Sequence, residues 1–599
     1  MNAAEPPPRH EVPTEFTWDL APLYESTSAW EEDFARLEHE FPAITAYRGR
    51  LAEGEAVVLE ALECEERLSR LAERLMQYAA LRVSEDSASA ESLSRAAKME
   101  ALGPRIGEAC AFLVPELQEL KDGAFEALLA APELERWHVR LRKLRRLKPH
   151  TLSAGEERLL ALGSAAVAAQ EEVFSQLTNV DMDYGQVTVE DGAVRKVTQS
   201  TLSSFLQNRD RRVRKEAFHA FYAEISAHRY TLAAALAGSV RKDVFYARAR
   251  NYSSALESAL FPDHVPVSVY ENLISSVRAR LPELHRYLAM RQQLLGLEEL
   301  HFYDTYVPLV ADVRTNTTWD VASRLVLEAV APLGDEYGRE LAHGLGAGRW
   351  CDRFENKGKR SGAFSYGTYE GPPYILMNYK EDVFSDVYTL AHEAGHSMHT
   401  WFSRRSQNYQ NYHYPIFLAE VASTFNEVLL TEHLLKRTDD PKMRAYIINR
   451  QMDDIRGTMF RQTMFAEFEK AIHEAEESGE GLTLEVFREI YRRLLEAYFG
   501  PNFALDEELE LEGLRIPHFY SAFYVYKYAT GLSAAVALAS RVLETGDAIG
   551  YLRFLASGGS KYPIETLAEA GVDMLSSAPV DATLDLFSRR MSELEALLG

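Results

Sequence analysis

The chain is organised around one stretch, Thr389-Leu390-Ala391-His392-Glu393-Ala394-Gly395-His396-Ser397-Met398-His399. It lies in a segment that favours helix over residues 386–402. Residues four apart in an α-helix lie on one face, one turn apart, so His392 and His396 can reach a single metal ion. Glu393 lies about 100° round the helix from His392, where a carboxylate can take a proton from a metal-activated water. The pattern predicts two metal ligands and a general base.

Gly395 is an unusual residue for the interior of this helix. A glycine there costs about 1 kcal/mol relative to alanine. It lies on the same face as the histidines, where its missing side chain leaves room for backbone or substrate. We therefore expect a crowded site on this face.

Glu420 is the candidate third ligand, because catalytic zinc normally has three protein ligands and one open position. It stands between apolar residues at the start of a second helical pattern, residues 417–427. A returning antiparallel helix would direct this carboxylate at the first helix. Taken alone, Glu420 is better interpreted as an exposed acid near the N-terminus of its helix, stabilised by the helix dipole. Beside His392 and His396, it is the predicted third zinc ligand.

The motif His392-Glu393-Ala394-Gly395-His396, with His399 and the later Glu420, resembles the thimet-oligopeptidase clan of zinc peptidases, and most of all its bacterial oligoendopeptidase F family. The resemblance extends along nearly the whole chain, in order, through Trp18-Asp19-Leu20, Arg250-Asn251-Tyr252, His301-Phe302-Tyr303-Asp304, Gly362-Ala363-Phe364-Ser365, Pro373-Tyr374-Ile375-Leu376-Met377-Asn378-Tyr379 and Ile516-Pro517-His518-Phe519-Tyr520. It implies a mainly α, large multi-helix, two-lobed peptidase that encloses a substrate channel. It also implies one Zn²⁺ per chain and short oligopeptide substrates.

Length and helical patterning suggest more than one domain, because 599 residues exceed what one compact core usually holds. We expect a disordered tail over 1–15, an N-terminal helical lobe over 16–200 and a zinc-peptidase catalytic domain over 201–599. Asp191-Gly192 predicts a small β-hairpin within the N-terminal lobe. That lobe also carries a helical apolar stripe, formed by Cys64, Leu68, Leu71, Leu75 and Tyr78.

Composition excludes several classes of function. The net charge of −25 argues against nucleic-acid binding, and the basic cluster within 140–148 is interpreted as a solvated helix face. Apolar runs long enough to cross a membrane are absent, as is the apolar region of a signal peptide. Three distant cysteines exclude a disulfide framework. We expect a cytoplasmic protein with no membrane or nucleic-acid partner, and the sequence leaves its oligomeric state open.

Two short β-like runs, residues 363–366 and 374–377, precede the metal helix and predict a small β-sheet beside it. A strand edge near the metal could pair with the backbone of an extended peptide, whatever the side chains of that peptide. The alternative is a structural hairpin that only supports the helix.

Hydrogen-bonding aromatic residues are concentrated in the segment 515–528. Peptide hydrolysis develops an oxyanion, and a neutral donor directed at it contributes about 3–4 kcal/mol. By resemblance, His518 with Tyr524 or Tyr528 would serve as donors. If the segment is helical, Tyr520, Tyr524 and Tyr528 share a face and Tyr526 points away, so the choice of tyrosine stays open. An aromatic core stripe is the alternative interpretation.

The favoured function is a zinc-dependent endopeptidase with Glu393 as general base. His399 and Glu427 are candidates for orienting the metal ligands or contacting substrate. A metallocarboxypeptidase or dipeptidyl carboxypeptidase is the enzymatic alternative, and it would need cations such as Lys357, Arg360 or Lys527 to hold a C-terminal carboxylate. A third possibility is a non-catalytic helical protein with a closed structural zinc site, or a peptide-binding scaffold, in which Glu393 and Gly395 would have no purpose.

Overall fold

The computed structural model describes residues 5–310 and 316–598, and it is mainly α-helical with small sheets, as predicted. The helices are α1 Thr27–Glu40, α2 Glu55–Glu85, α3 Ala90–Cys110, α4 Leu113–Glu119, α5 Asp122–Ala130, α6 His138–Leu147, α7 Ala154–Gln176, α8 Leu202–Leu206, α9 Arg211–Ala227, α10 Arg229–Ala249, α11 Ala255–Leu260, α12 Val267–Ala279, α13 Leu281–Leu294, α14 Trp319–Ala329, α15 Asp335–Leu345, α16 Ser385–Ser406, α17 Ile416–Arg437, α18 Pro441–Ile455, α19 Gln462–Ser478, α20 Leu484–Phe499, α21 Tyr526–Thr545, α22 Ile549–Ser557, α23 Pro563–Glu569 and α24 Ala578–Leu598. The strands are β1 Gln186–Thr188, β2 Val194–Lys196, β3 Leu300–His301, β4 Cys351–Asp352, β5 Phe364–Tyr366, β6 Tyr374–Leu376 and β7 Phe503–Ala504.

The described residues form two compact units, each assembled from three segments of the chain. The first unit contains residues 5–148, 316–436 and 538–572, and the second contains residues 149–310, 437–537 and 573–598. In the first unit, the predicted stripe on α2 is buried in a core that also takes in Tyr374 and Leu376 of β6. The predicted domain ranges 16–200 and 201–599 stay a prediction, as does the enclosed channel.

Arg9, within the stretch predicted as a disordered tail, makes specific contacts with the first unit. Residues 1–4 of the predicted disordered stretch 1–15 lie outside the described residues. Arg9 donates one hydrogen bond of 2.9 Å to Asp352 Oδ1 and another of 3.1 Å to Asn356 Oδ1. Because Asn356 is buried, Arg9 supplies its Oδ1 with a donor, and it adds a second cation to the buried ion pair of Asp352 with Lys359. The positive charge of Arg9 therefore anchors this part of the tail to Asp352.

A three-stranded sheet in the first unit lies against α16, with strand order β4-β6-β5. The predicted pair β5–β6 is antiparallel, and β5 occupies an edge of the sheet. Ser365 Oγ on β5 and Ser397 Oγ on α16 are hydrogen-bonded at 2.8 Å. The sequence missed β4, which is parallel to β6 and only two residues long. The expected sheet beside the metal helix is therefore present.

The β-hairpin predicted from Asp191-Gly192 is present, and a second glycine with positive φ ends a helix. Strands β1 and β2 pair antiparallel around Asp191-Gly192, and Gly192 takes a positive φ of 81°. Helix α20 ends before Gly500, which also has a positive φ, of 80°.

None of the helices in the described ranges is long and apolar enough to cross a membrane. The cytoplasmic location stays a prediction.

Candidate functional site

Helices α16 and α17 bring the three predicted metal ligands together in the first unit. The Nε2 atoms of His392 and His396 lie 3.5 and 3.8 Å from Oε2 of Glu420. Ser423, one turn after Glu420, donates its hydroxyl to the same carboxylate oxygen at 3.2 Å. Each of the three residues offers one ligand atom, and these atoms all lie within 4.8 Å of one another. The helical spacing of the histidines produces this convergence.

Gly395 explains how the two helices approach so closely. A Cβ atom added there would lie 2.5 Å from the carbonyl oxygen of Ala422 and 2.6 Å from Cα of Ser423. Both distances are far below ordinary van der Waals contact, so only glycine fits. The space expected at this face is filled by the backbone of α17. That contact lies two residues from Glu420 and fixes the position of its carboxylate.

Each histidine is oriented through a second hydrogen bond. His392 donates Nδ1–H to Oε1 of Glu427 at 2.7 Å, which leaves Nε2 free to bind a metal. His396 forms a hydrogen bond with the backbone of Ala419. The sequence suggested Glu427, but no sequence signal pointed to a backbone group on Ala419. Such partners fix the tautomer and ring orientation of a ligating histidine.

Glu393 is 7% exposed, and its carboxylate accepts a backbone hydrogen bond from Ser365 of strand β5. Burial raises the pKa of Glu393 to about 7, against the charge of His392 and a backbone hydrogen bond from Ser365, both of which lower it. A carboxyl group with a pKa near neutrality can both accept and return a proton. The contact with Ser365 also connects this carboxylate to the edge strand.

The two histidines differ in their affinity for protons. Burial opposes charge on His392, but its hydrogen bond to Glu427 and the nearby carboxylates outweigh burial and raise its pKa to about 9. Burial, with the positive charge of His392, lowers the pKa of His396 to about 3. Three carboxylates therefore favour positive charge on His392, since Glu393 and Glu420 add to the effect of Glu427.

The donor set fits zinc. Two ligand atoms about 2.0–2.2 Å from a tetrahedral zinc are roughly 3.3–3.6 Å apart, close to the separations of Glu420 Oε2 from the histidine nitrogens. Two imidazole nitrogens and a carboxylate oxygen are ligands that zinc favours. Among the described residues the group contains three candidate ligands, as in catalytic zinc sites that keep a position for water.

His399 belongs to the core of the first unit. Its ring is 0% exposed and stacks on Tyr414, with ring centroids 3.6 Å apart. Neither ring nitrogen has a hydrogen-bond partner among the described residues, and burial lowers its pKa well below the usual range. The structure therefore places His399 in the core, where burial favours the neutral ring, and its predicted role beside the metal ligands or the substrate stays a prediction.

The second unit brings His518, Tyr524 and Tyr528 together. The Tyr528 hydroxyl and His518 Nε2 are 3.2 Å apart. The ring centroid of Tyr524 lies 5.9 Å from that of His518 and 5.5 Å from that of Tyr528. All three side chains are at least partly exposed, so their polar atoms are available to a ligand. Burial lowers the pKa of His518, which favours the neutral ring.

The segment 515–528 does not form one continuous helix, so the condition for Tyr520, Tyr524 and Tyr528 to share a helical face is not met. Residues Pro517–Tyr520 form a 3₁₀ turn, and α21 begins only at Tyr526. Tyr520 is therefore not on a face with Tyr524; it is buried and stacks on Phe174 at 4.5 Å. Tyr526 is buried as well. The irregular backbone brings Tyr524 and Tyr528 to His518 and directs the other two tyrosines inward.

The cations considered for an exopeptidase belong to different units of the structure. Lys527 lies 3.3 Å from Asp263 in the second unit. In the first unit, Lys357 is exposed, and the guanidinium of Arg360 lies 5.4 Å from the ring centroid of Phe364. Lys357 and Arg360 precede the edge strand, and a role for these cations in holding a C-terminal carboxylate stays a prediction.

Comparison with known proteins identifies similar chains over the whole length. The model of "Peptidase family M3" matches residues 204–586, more than half of the chain, and that of "Oligopeptidase F" matches residues 116–184. Oligopeptidase PepF of Bacillus subtilis (strain 168) is 41% identical over 595 residues, which are 99% of this chain and 88% of the relative.

Solved structures of peptidases are also similar to this chain over nearly its whole length. A protein from Chlamydophila abortus described as a peptidase has a TM-score of 0.93 and 35% identity, covering 99% of this chain and 100% of that one. Oligoendopeptidase-F from Enterococcus faecium has a TM-score of 0.74 and 33% identity, and the match covers 95% of this chain and 98% of that one. The similarity therefore includes both compact units.

Proposed function

The chain belongs to peptidase family M3, in its oligopeptidase F branch, and we propose that it is a zinc-dependent endopeptidase that hydrolyses internal bonds of short, unstructured oligopeptides. The observation that supports zinc is the convergence of His392, His396 and Glu420 from two helices locked together at Gly395. Zinc held there would supply Lewis acidity to water and to the scissile carbonyl.

Glu393 performs the proton transfers in this proposal. Its carboxylate takes a proton from the attacking water and returns it to the leaving amine, for which a pKa of about 7 is well matched. His518, Tyr524 and Tyr528 donate hydrogen bonds to the carbonyl oxygen as its negative charge develops. Glu427 holds His392 in the tautomer that presents Nε2.

Strand β5 is the proposed docking edge for the substrate backbone. It ends the sheet order, and its residue Ser365 is hydrogen-bonded to Glu393 through the backbone. A peptide paired with β5 would therefore lie along the carboxylate that moves the proton. Pairing through main-chain groups is independent of side chains, so we expect broad sequence tolerance.

The test of the mechanism is Glu393→Gln, which keeps the shape of the side chain and removes the base. We expect a metal content equal to wild type by elemental analysis and a kcat lower by about 10³-fold or more. In contrast, His396→Ala should lose both metal and activity. Retained turnover in Glu393→Gln would eliminate the proposed role of this residue.

The position of cleavage separates the endopeptidase from the exopeptidase alternative. A peptide amidated at its C-terminus offers no carboxylate, so a carboxypeptidase-type enzyme would lose its main anchor. We expect this chain to cut amidated and free peptides at similar rates, as judged by mass spectrometry of the products. Rejection of amidated peptides would favour the exopeptidase.

A further inference from the structure

Phe523 adopts a strained backbone conformation within the segment that presents Tyr524 and Tyr528. Its φ is 53°, in the left-handed region that bulky residues rarely adopt. Its ring is buried and contacts His473, with ring centroids 4.5 Å apart. Such conformations persist only where the surroundings impose them, and they occur preferentially at functional sites.

Glu469, on α19, is the group that holds this backbone. Its Oε1 accepts the backbone N–H of Phe523 at 2.6 Å, and the side chain is 0% exposed. The second oxygen, Oε2, is also buried and has no hydrogen-bond partner within residues 5–310 and 316–598. A buried acid without a salt-bridge partner is costly, so a purely structural core would favour an apolar residue here.

We propose that Glu469 is a positioning residue for the oxyanion donors, because it fixes the turn at Phe523 from which Tyr524 and Tyr528 reach His518. Few residues separate the peptide group held by Glu469 from the two tyrosine donors. Tyr524 directly follows the residue whose N–H is held, and α21, which carries Tyr528, begins three residues after Phe523. A rotation of this turn would move both hydroxyls.

The other polar contacts of the turn cannot replace this one. Lys242 Nζ lies 3.4 Å from the carbonyl oxygen of Tyr520, and Lys527 lies 3.3 Å from Asp263. The first contact involves a residue before Phe523 and the second a residue after it, so neither restrains the φ angle of Phe523 itself. Glu469 alone, among the described residues, bonds to the strained peptide group itself.

The protonation state of Glu469 suggests the variants to compare. Burial raises the pKa of Glu469 well above the usual range, against the hydrogen bond from the Phe523 N–H, which favours the neutral acid. Glutamine therefore reproduces both its shape and its acceptor. Leucine keeps the approximate volume but leaves the Phe523 N–H without a partner.

We expect Glu469→Leu to lower kcat about 10- to 100-fold with KM and zinc content unchanged, because misplacement of catalytic groups by about 1 Å can cost 10²-fold. Glu469→Gln should stay within about threefold of wild-type kcat. The matched control is Glu467→Leu on the same helix, which breaks the ion pair with Arg278. It should lower the melting temperature and leave kcat unchanged.

A double-mutant comparison separates positioning from general destabilisation. In the Tyr524→Phe/Tyr528→Phe background the two tyrosine donors are already absent, so Glu469→Leu should change kcat less than about threefold. Full additivity of the two effects would overturn the inference. So would wild-type kcat in a folded Glu469→Leu protein.

This inference rests on the proposed function, and the two can fail separately. Wild-type kcat in the double tyrosine variant would overturn the donor role and this inference with it. Loss of kcat in that variant beside an unaffected Glu469→Leu would overturn this inference alone. If Glu469→Leu does not fold, Glu469→Asp retracts the acceptor by one methylene. We expect about tenfold lower kcat in that variant, and wild-type kcat there overturns the inference.

Discussion

The helix pair α16–α17 and the segment 516–528 hold their functional side chains in opposite ways. In the helix pair, regular periodicity aligns His392 with His396, and close backbone contact at Gly395 brings Glu420 to them. In the segment 516–528, a 3₁₀ turn and a left-handed residue, Phe523, bring the side chains together. The first arrangement depends on many repeated backbone bonds, and the second depends on a few side-chain contacts.

This difference has a consequence for function. A metal site requires fixed distances, because ligand atoms must lie within a few tenths of an ångström of their ideal positions. Two packed helices supply that rigidity, and Asn426 strengthens it by donating to the carbonyl of Ala391 at 3.1 Å. Oxyanion donors act only as charge develops on the substrate, and hydrogen bonds at catalytic sites often tighten only in the complex. An irregular segment is sufficient for them.

The largest effect that tests this comparison is expected in the irregular segment. Tyr528→Phe removes the hydroxyl that lies 3.2 Å from His518 Nε2. We expect kcat to fall about 10²-fold, as for the loss of one oxyanion donor, with KM and zinc content unchanged in steady-state kinetics and elemental analysis.

Tyr520→Phe is the matched control for that substitution. The Tyr520 hydroxyl is buried and has no hydrogen-bond partner among the described residues. Its removal should leave kcat unchanged and stability equal or slightly higher, because an unsatisfied buried polar group is costly. A larger loss of kcat in Tyr520→Phe than in Tyr528→Phe would reverse the assignment.

The same contrast explains what could be predicted from the sequence. The helix over 386–402 and the candidate ligands followed from periodicity, which is local and repeats every turn. The segment 515–528 has helical spacing of Tyr520, Tyr524 and Tyr528, yet that periodicity is misleading here. The strain at Phe523 and its anchor at Glu469 are separated by 54 residues in sequence, so no local pattern could reveal them.

A smaller effect is expected from Gly395→Ala, which tests how strictly the helix pair depends on its close contact. The added methyl group would overlap the carbonyl oxygen of Ala422, so α17 must move and shift Glu420. We expect zinc affinity to fall about tenfold, in the range seen when groups around a ligand are disturbed. Overpacking should also destabilise the fold by about 1–3 kcal/mol. Competition with a chelator measures the affinity, and thermal unfolding measures the stability.

Gly107→Ala is the control for the intrinsic preference of alanine for helix. Gly107 is an exposed residue of α3, and a Cβ atom added there would meet nothing within 4 Å. This substitution should stabilise the protein by about 1 kcal/mol and leave zinc affinity unchanged. If Gly395→Ala behaved in the same way, the close contact would not be what positions Glu420.

The sheet beside α16 was predictable only in part. Runs of β-forming residues indicated β5 and β6, but the parallel partner β4 is two residues long and gives no periodic signal. The hydrogen bonds that connect the sheet to the site were also beyond prediction. They involve Ser365 and Ser397, and serine has no strong preference that would single out these two positions.

The smallest effect is expected at Ser397, where the rigid helix pair meets the edge strand. Its Oγ is fully buried, lies 2.8 Å from Ser365 Oγ and donates to the carbonyl of Pro373 at 3.3 Å. Ser397→Ala removes both bonds but leaves the backbone pairing of β5 with β6 intact, so the strand should become slightly less well aligned with Glu393. We expect KM for oligopeptides to rise about two- to fivefold and stability to fall by about 1 kcal/mol, as for one lost hydrogen bond. Zinc affinity should stay at the wild-type value, because none of the ligands contacts this hydroxyl among the described hydrogen bonds. An unchanged KM with lowered zinc affinity would mean that Ser397 supports the metal helix and not the docking edge, and it would remove β5 from the proposed substrate path.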